Sequence, residues 1–278
     1  MNTQNIYYIL GIGIVLIIII LIVHITTKTR FKLRTMIIVS FLSLLSMVLA
    51  AYLSIFIPLF GFPSLKFGFS QLPIMMAGAL FGPWWGMVAG VLEDLLELAS
   101  GTITSPYIGF TLNKALIGII PGVVFLLANK NPKQIKYAII GLVTLLYGTS
   151  ILFILNTDSL TASQVFFVLD WPVKLTLIGM TLATLPITYL IYQTLKQKTI
   201  LQIQFQIWLL SVIIIEILIN VILTPIWLNQ LYGIPFDIQV IIRSIKTSFF
   251  VVLNTLLAYS IYQSLRHLKQ TPVISKKR

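Results

Sequence analysis

No cysteine occurs among the 278 residues, which excludes disulfides, thiol catalysis and cysteine metal sites. The two histidines, His24 and His267, stand far apart in the chain, so no metal site is expected. Aspartate and glutamate together number seven, and charged residues of both signs make up 9% of the chain; soluble domains carry about a quarter. The phosphate-cradling pattern G-x-x-x-x-G-K-[ST] is also missing, since Gly11 and Gly13 sit in an apolar run with no following lysine. ATP hydrolysis by that route is therefore excluded, and any energy coupling must come from a partner or an ion gradient. No pattern for covalent catalysis is present, and no cofactor is expected.

What the chain has in abundance is apolar surface: 58% of residues are hydrophobic and the mean hydropathy is +1.00. A fold of this size cannot hide that much from water, so lipid must cover it. Lipid requires every backbone polar group to find an internal partner, leaving helices or closed barrels. The apolar runs are long and continuous rather than alternating, which selects helices. An all-α integral membrane protein of about nine transmembrane helices is expected. The segments fall near Ile6–Ile25, Met36–Phe60, Gln71–Phe81, Trp84–Ala99, Tyr107–Ala128, Tyr137–Leu155, Val173–Leu195, Phe205–Leu228 and Ile238–Leu265. The third and fourth, separated by Gly82-Pro83, form either a tight hairpin or one kinked helix.

The lysines and arginines behind the net charge of +12 gather in short gaps between these runs. Lys28, Arg30, Lys32 and Arg34 follow the first segment; Lys130, Lys133 and Lys136 follow the fifth; Lys196 and Lys198 follow the seventh; Arg266, Lys269, Lys276, Lys277 and Arg278 close the chain. Asp158, Asp170 and Asp237 occupy the alternate gaps, with Lys66 the main exception. By the positive-inside rule this alternation puts the N-terminus outside and the C-terminus in the cytoplasm of a bacterial cell membrane. No basic face with interleaved aromatics appears, so no nucleic-acid partner is expected. The first segment lacks a basic flank and a small-residue cleavage site, as a retained helix would. Tyr189–Lys196 echoes Tyr259–Arg266, which suggests a duplicated helical hairpin over roughly 138–196 and 207–266.

Ionisable residues inside spans mark structure or function, because each is expensive in lipid unless paired or solvated. Glu93, Asp94 and Glu97 lie in the fourth segment, Lys114 in the fifth, Glu216 in the eighth, and Arg243 with Lys246 in the last. Glu93 and Glu97 share a helix face where Lys114 can meet them, as a structural ion pair or as a polar cavity. Arg243 and Lys246, three apart, share a face about two turns into a helix that starts outside. Two fixed cations there suit an anionic ligand, arginine forking a carboxylate. Snorkelling toward outer headgroups is the other account, but positive charge is disfavoured on that side. Tyr107, Phe110, Trp227 and Tyr232 supply candidate stacking surfaces. Ser46, Ala50 and Ser54 set a small-residue stripe that lets another helix approach closely, from a partner subunit or the same chain.

Three stretches carry a family resemblance: Leu65–Pro83 with its Pro73, Ala77-Gly78 and Gly82-Pro83; Gly86-x-x-x-Gly90-x-x-x-Asp94; and Pro106-Tyr-Ile-Gly109-Phe110-Thr111. They resemble the substrate-binding S components of energy-coupling-factor (ECF) transporters. Trp227–Phe236 followed by Arg243-x-x-Lys246 is similar to the folate branch. The resemblance implies a six-helix core binding a vitamin at its outer face, most simply folate or a derivative. It implies docking on a transmembrane scaffold subunit with two cytoplasmic ATPases, with the Ser46, Ala50 and Ser54 stripe on the docking helix. On this reading residues 1–30 are an additional helix, 31–130 carry core helices one to four, and 131–202 are an inserted hairpin. Residues 203–268 carry core helices five and six, and 269–278 form a basic tail. The folate branch carries an arginine near the end of its first core helix, where this chain has Ala50-Ala51-Tyr52-Leu53; Lys114 stands where a small residue is usual and is a substrate-binding candidate that can supply the missing charge. Alternatives are an S component for another vitamin, a stand-alone proton-coupled carrier using Glu93, Asp94, Glu97 and Glu216, or a membrane enzyme or scaffold.

Overall fold

The computed structural model describes residues 32–59, 62–101, 106–128, 132–157, 159–162, 165–168, 170–183 and 199–266, with Ile18, Leu185, Pro186 and Gln193 besides. Eight helices are present among the described residues: α1 (Leu33–Tyr52), α2 (Gln71–Phe81), α3 (Pro83–Ala99), α4 (Ile108–Ala128), α5 (Pro132–Asn156), α6 (Trp171–Leu182), α7 and α8 (Phe236–Leu265). The continuous α7 comprises an α-helical Thr199–Ile215, a π-helical Glu216–Leu223 and an α-helical Thr224–Tyr232. Five are long and apolar enough to cross a bilayer, and the protein is a multi-pass membrane protein. The expected total of nine is not confirmed among the described residues: Ile6–Ile25 lies outside them apart from Ile18. Tyr189–Lys196, one end of the suggested repeat, lies outside them apart from Gln193.

The expected second segment, Met36–Phe60, is corrected. The helix stops at Tyr52, and Ile55–Leu59 (β1) pairs antiparallel with Phe62–Phe67 (β2). Pro58 explains both halves of this change. Proline is disfavoured inside a helix, and its missing N–H fits the register break seen between Ile57 and Leu59. A second small hairpin, Ser159–Ala162 (β3) with Val165–Val168 (β4), joins α5 to α6. The corresponding connection from α7 to α8 is instead a tight turn at Gly233, which adopts the left-handed conformation open to glycine.

The third and fourth expected segments are two helices. Gly82 at φ 97° breaks the path, and Pro83 starts α3 with the fixed φ suited to a first turn. α2, α3 and α4 then pack backbone against backbone. A Cβ on Gly78 or Gly86 would strike the carbonyl oxygen of Gly118, and one on Gly90 would strike that of Lys114. In lipid, where apolar side chains gain little by leaving one solvent for another, such close approach supplies much of the attraction. α2 spans only 11 residues, about 16 Å at 1.5 Å per residue, roughly half a bilayer core. Its start, Gln71, meets Glu216 of α7.

Candidate functional site

The inner face of α8 carries a polar ladder: Gln239, Arg243, Thr247 and Asn254 are buried at intervals of four, four and seven, with Lys246 half-buried beside them. This spacing keeps the groups on one side of a helix. The structure thus places Arg243 and Lys246 on one inward face, as the sequence suggested. The Lys246 ammonium lies 4.9 Å from the centre of the Phe250 ring, a cation–π contact that shields one side of the charge.

Facing the ladder is Glu216, fully buried at the start of the π segment. Its carboxylate accepts from Asn220 Nδ2 at 2.8 Å, Asn254 Nδ2 at 3.2 Å, Thr247 Oγ1 at 3.4 Å and Gln71 Nε2 at 3.5 Å. The π register has a local cause. Pro225 cannot donate a backbone bond, and both the N–H and the Oγ1 of Thr224 reach back five residues to the carbonyl of Ile219. That extra residue per turn aims Glu216 and Asn220 together at α8 and α2. The sequence reading singled out Glu216 as ionisable but missed its donors; the signal available was the periodic amide and hydroxyl series on α8.

At the start of α4 the aromatic residues gather. Tyr107 lies with its ring centre 5.9 Å from those of Phe110 and Trp227. Its hydroxyl donates to Gln230 Oε1 at 2.5 Å, and burial pushes its acidity further from neutrality, keeping the donor in place. Trp227 is buried, and its Nε1 donates to Asn113 Oδ1 at 3.1 Å; Asn113 in turn donates to Thr224 Oγ1 at 3.2 Å. Gly109 admits both rings, since a Cβ there would collide with each. Tyr232 is not brought into this group: it is 56% exposed at the end of α7.

Lys114 joins a different set. It pairs with Glu93 at 2.6 Å, Asp94 at 3.2 Å and Glu97, all on α3, while Thr111 donates to Asp94 at 2.5 Å. The ion-pair account of these residues is the one the structure realises. Ser46 and Ala50 are buried and Ser54 half-buried. Ser46 donates to the Ser70 carbonyl at 2.5 Å, and Ser54 lies against Gly68. The small-residue stripe therefore packs against its own chain, leaving Met36, Ile37, Phe41, Leu44, Leu45 and Val48 as the exposed face of α1.

A family model described as 5TMR of 5TMR-LYT matches residues 15–198. The Folate transporter FolT of Clostridium novyi (strain NT) is 30% identical over 115 residues, covering 41% of this chain and 63% of that relative. The matched region thus spans less than two thirds of the relative's length. A solved structure described as FolT bound with folic acid aligns at a TM-score of 0.51 and 18% identity, over 84% of this chain and 98% of that one. This second similarity establishes a shared fold.

Proposed function

The chain belongs to the family described as 5TMR of 5TMR-LYT, and from that premise we propose that it captures folate, or a folate derivative, at the outer face of a bacterial membrane. The observation that carries the reading is the pair of cations on the inner face of α8, Arg243 buried and Lys246 half-buried. Two cations on one face of a helix suit an anionic ligand, arginine forking a carboxylate. Folate offers carboxylates for the cations and a flat ring for the aromatic group of Tyr107, Phe110 and Trp227. The relative and the folded neighbour, both described as FolT, support the choice of ligand.

The finer reading is that of an ECF S component, N-terminus outside, C-terminus in the cytoplasm, delivering ligand to a scaffold subunit and two ATPases that supply the energy. The chain's missing phosphate loop fits that division of labour. Lys114 serves the α3–α4 interface in this scheme, and Tyr232 at the exposed end of α7 lies at the mouth.

Titration of the detergent-purified chain with folic acid, following tryptophan fluorescence, tests the reading. Saturable quenching is expected because Trp227 adjoins the site. Replacing both Arg243 and Lys246 by glutamine should weaken binding at least about 100-fold, the scale for losing two charge-assisted contacts. Unchanged affinity in that variant would remove the cation pair from the ligand site.

A further inference from the structure

The polar ladder of α8 begins one turn before its cations, at Gln239. This side chain is 1% exposed, and its Nε2 donates to the Ile234 carbonyl at 3.1 Å. That contact fixes the orientation of the amide, because a backbone carbonyl only accepts and the nitrogen must face it. The amide oxygen is thereby turned away from Ile234, and among the described residues no donor reaches it. Asn229 Nδ2 donates to the same carbonyl at 2.9 Å, so Ile234 is satisfied without Gln239. The glutamine thus holds a buried acceptor in a set direction, on the helix face that carries Arg243 four residues on.

A buried acceptor with no donor is costly, and a ligand N–H removes the cost. Positions four apart on a helix are about 5–6 Å apart at Cβ, so a donor at Gln239 must sit close to the carboxylate at Arg243. Resting on the folate reading above, we infer that Gln239 is a specificity-determining residue: its Oε1 accepts from an amide N–H on the same carbon as the carboxylate held by Arg243. The unit recognised by the two residues is an N-acyl amino acid, with donor and anion separated by one carbon. In folic acid that unit is the amide joining the benzoyl group to glutamate. The acyl side then runs outward, toward the end of α7 where Trp227 and Tyr107 meet. An ester in place of the amide sets an oxygen against Oε1, acceptor against acceptor, and the site disfavours it.

The probes are folic acid and the ester of pteroic acid with 2-hydroxyglutaric acid, which replaces the amide N–H by oxygen and keeps both carboxylates. Each is titrated against the full-length purified chain, and the ratio of their dissociation constants is read. The unaltered chain should favour folic acid by at least about tenfold, the scale of leaving a buried acceptor unmatched. In Gln239→Met the ratio should fall to near one. Gln239→Glu loses the same contact with Ile234 but keeps an acceptor oxygen, so it should retain the preference. A purely structural role for Gln239 predicts instead that the two variants behave alike. Three results overturn the inference while folic acid binding leaves the folate reading in place: a ratio near one in the unaltered chain, a preference that survives in Gln239→Met, or its loss in Gln239→Glu. If the methionine variant does not fold, the unaltered chain and Gln239→Glu decide the matter. An unaltered chain that binds neither compound overturns the folate reading and this inference with it.

Discussion

At the scale of single residues, two buried cation systems divide the work. Lys114 meets three carboxylates on one neighbouring helix, so its charge is more than answered inside the fold. Arg243 and Lys246 stand on one face of α8, the pair proposed above to hold the ligand. Replacing Lys114 by methionine leaves Glu93, Asp94 and Glu97 without their cation. Breaking a buried pair by removing one partner is worth about 3–5 kcal/mol. The Lys114→Met chain should therefore unfold at a clearly lower temperature in detergent, while any folded fraction binds folic acid with near-original affinity. A variant of normal thermal stability that no longer binds would move Lys114 into the ligand site.

Among the elements, the glycine seam of α2, α3 and α4 and the π segment of α7 position everything else. Gly118 faces Gly86 so closely that any side chain must push the helices apart. Gly118→Leu should destabilise the chain by about 3 kcal/mol or more, at the upper end of overpacking effects because backbone rather than side chain is in the way. A thermal melt checks this, and an unchanged midpoint would show that the helices pack more loosely than described here. The helices themselves were legible in the sequence, because apolar length and composition decide what lipid can cover. The Gly82-Pro83 break was visible, though not its outcome, since proline kinks and proline starts read alike until φ at the glycine is known. The hairpin at Ile55–Phe67 was hidden inside an apolar run, where Pro58 was the available warning. The π register could not be seen, because it arises from the pairing of Pro225 with backbone groups upstream. For that reason Glu216 was readable as an ionisable residue but not as the centre of a four-donor network. Lys114 with Glu93 and Glu97 was readable from helical spacing alone.

For the whole molecule, the exposed apolar side chains of α1, α5 and α6 form the surface that lipid covers, among them Phe41, Leu44, Leu145, Leu152, Leu175 and Met180. The small-residue stripe proved to be an internal seam, because Ser43 and Ser46 both spend their hydroxyls on carbonyls of the same chain, Ser43 on Ala89 and Ser46 on Ser70. Small residues signal close approach of a helix, and the sequence does not say whose. The central claim is that this chain captures a ligand whose uptake others energise. Reconstitution in lipid vesicles with a scaffold subunit and two ATPases, measuring ATP-dependent accumulation of labelled folic acid, tests it most directly. The account predicts accumulation that requires this chain, ATP and all partners together, and that falls at least about 100-fold with Arg243→Gln and Lys246→Gln combined. Accumulation by the chain alone under a proton gradient, with no ATPase present, would contradict it.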